Sequence, residues 1–401
     1  MATLIRQAVA ADLPMHEPLR FPLYDENGRL LLKQGFVITM PGFAERLLLR
    51  GCYIGNPEDP PAAANTPADG VPADGSGEAD SNGIINDKVR PTTPQAPVFL
   101  RACDLATSVR RIHKLLLEPP SDRVVVQDFI RDRARLLLSL LAEDSDAVLA
   151  AAYLTHDVRD GRPYQQLLGA IVAAQLAPQC ELGEGQRLAL VCAALTRDTA
   201  LHEIDKSYAT ARELPEIAQL TVREHPLAAV KLLLQHGIND RDWLTFVAEH
   251  HERPDGSGYP NGKKEGELQA GSMLLGLADV YAGMVLANLR RPGIFPANAL
   301  KEIFLGKGSK HPEKQVVALL KTLTRFPAGT LVSLANGEIG LIKNPPPSQS
   351  QPQVYSVYDR SGMPRSAPVI RDSNQSEFAI TGCVAPEKCQ SAALVIRRLW
   401  Q

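Results

Sequence analysis

Cysteine is scarce and scattered in this chain. The six cysteines, Cys52, Cys103, Cys180, Cys192, Cys383 and Cys389, form no Cys-x-x-Cys pair, which argues against a cysteine zinc site and a disulfide framework and suits a reducing cytoplasm. A charge excess is missing as well: 43 Lys and Arg stand against 45 Asp and Glu. No overall field therefore favours nucleic acid or an anionic membrane, and an anionic ligand has to be caught locally. Nor does any stretch approach ~18 uncharged apolar residues, and Met1-Ala2-Thr3-Leu4-Ile5-Arg6-Gln7 has no apolar run of signal-peptide length. The expectations are a cytoplasmic protein with no membrane span and no nucleic-acid partner.

At 401 residues more than one domain is expected, at roughly 100 to 200 residues each. Residues 1–55 read as an N-terminal β/α module. Asn27-Gly28 between apolar runs is a hairpin signal because both turn residues tolerate positive φ. Phe43, Leu47, Leu48 and Leu49 among charges predict a short helix over 41–51. Residues 56–97 shift to Pro, Ala, Gly, Asp and Ser with no aromatic, too little apolar surface to offset the entropy of ordering, so a disordered linker is expected. Residues 98–153 return to helical spacing, with Leu105, Val109, Ile112 and Leu116 on one stripe, Leu136, Leu137, Leu140 and Leu141 on another, and a break at Pro119-Pro120. Such stripes serve either core packing or the seam of a homodimer. Helical spacing continues through 154–325, and after Phe326 the pattern turns to short β runs around Asn336-Gly337, predicting a β-rich tail over 326–401 that ends in a short helix. The fold class is mainly α: a helical bundle flanked by a small N-terminal β-containing module and a small C-terminal β-sheet.

The chemistry concentrates in His250-His251-Glu252-Arg253-Pro254-Asp255-Gly256-Ser257-Gly258-Tyr259-Pro260. Adjacent histidines are rarely needed for packing, and here they join a glycine-rich turn. Phosphodiester hydrolysis by metals needs cations that polarise phosphoryl oxygens and acidify water, and imidazole with carboxylate suits iron, manganese or zinc. The tract resembles the signature of the HD-GYP family, bacterial metal-dependent phosphohydrolases of the HD superfamily that open the second messenger cyclic-di-GMP. The resemblance covers about residues 150–325 and implies an HD-type helical bundle.

Carried over residue by residue, the resemblance implies metal ligands at His225, which precedes Pro226, at His250 and His251, and at Asp279. Asp198 keeps the carboxylate that bridges two metals in relatives. The early ligands differ: Leu168 stands where a helix histidine is expected, and Arg197-Asp198 replaces the His-Asp pair. Thr199-Ala200-Leu201 replaces the run that ends in glycine and lysine. One metal position thus keeps Asp198, His225, His250 and His251, while its neighbour keeps only carboxylates. The guanidinium of Arg197 could supply the charge of the missing cation, since arginine stays protonated and forks onto carboxylate or phosphate.

The resemblance further implies that Asp255, Gly256, Gly258 and Tyr259 hold the nucleotide or a partner signalling protein, while Arg290 and Arg291 either grip its phosphates or form a solvated, positively charged helix end. The expected function is cyclic-di-GMP signalling with one divalent transition metal (Fe, Mn or Zn) and weak or no hydrolysis. Two alternatives stand beside it: an active phosphodiesterase using an atypical site, with Asp198 and Arg197 as its catalytic pair, and a nucleotide-independent interaction module.

Overall fold

The computed structural model describes residues 4–9, 12–14, 17–24, 30–32, 34–35, 48, 52–55, 96–120, 123–208, 210–211, 213–307, 310–343 and 351–400. The chain divides into two units, Met1–Lys88 and Val89–Gln401. In the first, strands β1 (Leu4–Gln7), β2 (Leu23–Tyr24), β3 (Leu30–Leu32) and β4 (Tyr53–Gly55) form an antiparallel sheet in the order β1-β4-β2-β3. Strands β2 and β3 pair as the Asn-Gly signal predicts, with Leu23 opposite Leu32. A small core of Ala8, Leu13, Leu19, Leu23, Cys52 and Ile54 backs the sheet. The turn itself, the helix expected over 41–51 apart from Leu48, and the linker over 56–97 apart from Ala96 and Pro97 lie outside the described residues.

The second unit is a helical bundle. Helices α1 (Val98–Cys103) and α2 (Leu105–Leu117) precede the Pro119-Pro120 break, and α3 (Arg123–Leu154) follows. Asp144 leaves helical geometry inside α3, at φ −158° and ψ 92°. Its carboxylate accepts the amide of Ala147 at 2.9 Å, so it caps the second half of the helix it interrupts. Helix α4 (Gly161–Leu176) is buried nearly all round, including Leu167, Leu168, Ile171 and Val172. A helix with no polar face belongs at the centre, and α4 packs against α3, α5 (Glu184–Thr196) and α9 (Ala270–Val285). Between α5 and α9 come α6 (His202–Ser207), α7 (Glu216–Gln235) and α8 (Arg241–Glu249); α10 (Pro296–Glu302) and α11 (Glu313–Thr322) complete the bundle.

The C-terminal strands β5 (Leu331–Leu334), β6 (Ile339–Leu341), β7 (Gln353–Tyr358), β8 (Pro364–Asp372) and β9 (Ile380–Val384) form an antiparallel sheet ordered β8-β7-β6-β5-β9. The Asn336-Gly337 turn is in place, with Gly337 at φ +90°. Strand β9 has no alternating apolar pattern and was absent from the expectation; pairing with β5 creates it. The tail shares the bundle's core through Val357, Tyr358, Val395 and Ile396, and Trp400, beyond α12 (Ala393–Arg398), stacks on Phe99 at 4.8 Å. Among the described residues no helix is long and apolar enough to cross a membrane.

Candidate metal centre

The end of α5, the middle of α7 and the end of α8 supply the site. Helix α5 terminates at Thr196, whose hydroxyl accepts the indole N–H of Trp243 at 2.9 Å and donates to the carbonyl of Cys192 at 2.8 Å. That pins the next two residues, Arg197 and Asp198, beside α8. His250 and His251 follow the last turn of α8, and His225 lies mid-way along α7. One ligand atom each from Asp198, His225, His250 and His251 lies within 4.8 Å of the others.

Proline explains how His225 is aimed. Pro226 has no N–H, so the carbonyl four residues back, Val222, loses its helical partner. The Nδ1–H of His225 takes that place at 2.6 Å. His250 uses the same device, because the carbonyls of a helix's last turn are unpaired: its Nδ1 lies 2.8 Å from Val247 O. Since a carbonyl only accepts, each Nδ1 carries a proton and each ring turns its Nε2 towards the centre. The two Nε2 atoms stand 3.3 Å apart, with Asp198 Oδ1 at 3.3 and 3.7 Å. Two ring nitrogens facing each other beside a carboxylate call for a cation or a proton between them. Ligand atoms around a four-coordinate ion at 2.0–2.1 Å would stand about 3.3–3.4 Å apart, so the observed spacing fits a metal.

Electrostatics keep the ligands in their binding forms. Burial opposes the charge on Asp198, but the Arg197 guanidinium and the His225 and His250 contacts outweigh it and hold the carboxyl well below the usual range. Its Oδ2 is buried with no hydrogen-bond partner. Burial lowers His250 and drives His251 further down, so both imidazoles stay neutral. His251 completes the group from the more open side, where the Tyr259 ring stacks on it at 4.6 Å.

Arg197 and Asp279 occupy the other half of the site. The Arg197 side chain is 0% exposed, and its Nη2 donates to Asp279 Oδ1 at 2.7 Å while Nη1 donates to Ala194 O at 2.6 Å. Its Nε sits 3.6 Å from Asp198 Oδ2. Asp279 also accepts from Gln165 at 3.0 Å, and although burial works against its charge, Arg197 holds its carboxyl below the ordinary value. It is not part of the four-ligand group. Gly169 makes room for this arrangement: a Cβ there would stand 3.1 Å from Arg197 Nη2. Leu168, where the resemblance expects a histidine, is fully buried in the apolar core.

The glycine loop is clamped in place. Glu252, 2% exposed, accepts the amides of Asn261 at 2.7 Å and Lys263 at 3.0 Å, while Glu249 accepts from Lys263 Nζ and Ser272, each at 2.6 Å. Gly258 is required sterically, since a Cβ would lie 2.4 Å from Arg253 N. Gly256 adopts φ +78°, and Asp255, exposed, turns the chain by accepting from Ser257. Of the two arginines after α9, Arg290 donates to Tyr208 O and lines a cleft of about 120 Å³ with Arg159, Arg162 and Gln165. Arg291 turns towards the carbonyls of Met284 and Pro292 at 3.5 and 3.4 Å.

Gly169, Gln165 and Arg162 went unread in the sequence, and Glu252 was read only as part of the histidine–glycine tract. Arg162 forks onto Asp205 at 2.8 and 2.9 Å and lies 3.6 Å from Asp198. Their one-dimensional signals are ordinary: a glycine and two polar residues in an otherwise apolar helix, and an acid in a loop.

Residues 126–316 match the HD domain family. A segment of 149 residues is 28% identical to the protein named cyclic di-GMP phosphodiesterase PA4108 of Pseudomonas aeruginosa, covering 35% of this chain and 36% of that one. The present chain thus spans about a third of that relative's length. The solved structure of Bd1817, an HDG"Y"P protein from Bdellovibrio bacteriovorus, superposes with a TM-score of 0.50 at 15% identity, over 80% of this chain and 98% of the other, which is a likeness of fold. Together these likenesses support an HD domain of the HD-GYP kind over residues 126–316. HD domains are metal-dependent, and among the described residues Asp198 and the three histidines form a cluster that can hold a metal.

Proposed function

We propose that this protein is a cyclic-di-GMP signalling protein holding one divalent transition metal (iron, manganese or zinc) at Asp198, His225, His250 and His251, which binds the nucleotide with weak or no hydrolysis. The observation that carries this reading is the buried Arg197 guanidinium, spanning Asp279 and the outer oxygen of Asp198. The two carboxylates and the guanidinium leave a single net negative charge. One divalent ion brings the pocket to a net +1, whereas two would bring it to +3, so Arg197 disfavours a second cation.

When bound, the metal supplies Lewis acidity towards a phosphoryl oxygen and acidifies water. The residues do the rest. Asp198 and the three imidazoles orient the ion, and Pro226 and the end of α8 hold the imidazole tautomers. Arg290, with Arg159 and Arg162, lines a cleft large enough for one phosphate group. Tyr259 and the clamped Asp255–Gly258 turn offer a stacking face and backbone amides to the rest of the nucleotide. What is missing is a second positive centre facing the leaving oxygen: Arg197 spends both terminal nitrogens on Asp279 and Ala194 and cannot reach a phosphate. Losing that clamp costs several orders of magnitude in rate.

The partner role fits the same loop, since an occupied pocket changes the surface around Tyr259 that a signalling protein would read. The test combines elemental analysis of protein purified without added metal, calorimetry with cyclic-di-GMP, and chromatography of the products. About one metal per chain, measurable binding and negligible linearisation are expected. Two metals with rapid turnover that Asp198→Ala abolishes would establish the phosphodiesterase instead. Absence of both metal and nucleotide binding would leave the interaction module.

A further inference from the structure

Helix α7 carries the metal ligand His225 on its inner face and an unexplained apolar stripe on its outer one. Ala218, His225, Pro226, Ala229 and Leu233 are buried. Ile217, Leu220, Leu227 and Leu234 are 69%, 50%, 46% and 46% exposed. The three leucines recur every seventh residue, and Glu224 and Lys231, both exposed, alternate with them on the same side of the helix. At 100° per residue all six fall within an arc of about 100°, opposite the buried face. A solvated helix in a protein whose charged residues make up 22% of the chain has no need of four large aliphatics in one line.

We propose that this stripe is the seat of a two-fold homodimer in which α7 packs antiparallel against α7 of a second copy. The occupant follows from the charge order along the stripe. An antiparallel pair with its axis beside Leu227 sets Leu220 against the partner helix's position 234 and, twice by symmetry and within one residue of the same register, Glu224 beside its position 231, so each acid meets a lysine. A parallel pair would set acid against acid and lysine against lysine. Self-complementarity under a two-fold rotation is the property an isologous contact requires. The stripe runs along a 20-residue helix, about 30 Å long, and a single helix pair lies at the small end of specific interfaces. The dimer is therefore weak, with a dissociation constant of about 1–100 μM.

Sedimentation velocity of the full chain over that concentration range tests the arrangement. Dimer growing with concentration is expected in the parent. It is expected to vanish in Leu227→Glu, and to weaken about tenfold or more in Lys231→Glu, which places like charges opposite each other. Glu224→Lys combined with Lys231→Glu restores opposite charges and should recover it. Because these side chains are exposed, thermal midpoints should stay close to the parent's, and Lys231→Glu with its charge-swapped partner serves where Leu227→Glu proves insoluble. A monomer at every concentration, a dimer indifferent to Leu227→Glu, or a charge swap that fails to rescue would each overturn the proposal. The metal and nucleotide measurements on the pocket do not enter this test, so either conclusion can fall without the other.

Discussion

Replacing Arg197 with alanine is the sharpest test of the idea that a guanidinium does a cation's work. The side chain is 0% exposed, Asp279's is 10% and Asp198's 2%. Truncation removes the 2.7 Å bond to Asp279 and leaves that carboxylate with Gln165 alone, at 3.0 Å. Breaking a buried ion pair from one side costs about 3–5 kcal/mol, because the surviving charge is uncompensated. For a unit the size of Val89–Gln401 this corresponds to a fall of roughly 5–8 °C in the thermal midpoint. Destabilisation alone would fit any buried arginine. The specific expectation is that Mn²⁺ stabilises Arg197→Ala more than the parent, since the vacated space between two carboxylates accepts an ion. At a free concentration one hundred times its dissociation constant, the ion should return about 2.7 kcal/mol. Calorimetry or dye-monitored melting with and without Mn²⁺, together with metal content per chain, reads both effects. In an Asp279→Asn background the loss on removing Arg197 should shrink by about 1–3 kcal/mol. A variant that melts like the parent, or one that loses stability yet responds to Mn²⁺ no more than the parent does, would refute the reasoning.

Four other outcomes follow from particular contacts. Gly169→Ala places a methyl 3.1 Å from the Arg197 guanidinium and should cost about 1–2 kcal/mol in urea unfolding, an effect that disappears when Arg197 is already alanine. Pro226→Ala returns an N–H to the helix and lets Val222 O revert to its helical bond, so His225 loses its orienting partner; metal affinity by chelator competition should drop about 10- to 100-fold while the melting point holds or rises. Gly258→Ala cannot be seated 2.4 Å from Arg253 N, so the loop should open, visible as faster proteolytic cleavage near Asp255 with the bundle intact. In the C-terminal sheet, the Arg371 hydrogen bonds lower the buried Glu338 carboxyl to about 2. A depressed acid contributes stability that is complete above its unfolded value and is lost as pH falls towards the folded one. Between about pH 4.5 and 2 the parent should lose about 3 kcal/mol that Glu338→Gln never had, as urea midpoints across that range would show.

Much of the architecture could be read in one dimension because it follows from local patterning. Helical stripes such as Leu105-Val109-Ile112-Leu116, the Pro119-Pro120 break and the Asn336-Gly337 turn encode their own geometry through spacing and backbone restriction. Strand β9 could not be read, because Ile380–Val384 has no alternation and becomes a strand only against β5. At the site, the candidate residues Asp198, His225, His250 and His251 could be named from motif and order, since imidazole and carboxylate are what a metal can use.

The sequence by itself determined the chemistry on offer: three imidazoles and an aspartate at family spacing, a proline after one of them, and an arginine where a histidine was expected. Only the tertiary structure decided what those residues are to each other. Convergence of Asp198, His225, His250 and His251, the carbonyl that Pro226 releases to His225, and the seat that Gly169 leaves for Arg197 against Asp279 all depend on separate elements meeting. Distances between segments remote in sequence arise from the packing of α4, α5, α7, α8 and α9, and no local pattern carries them.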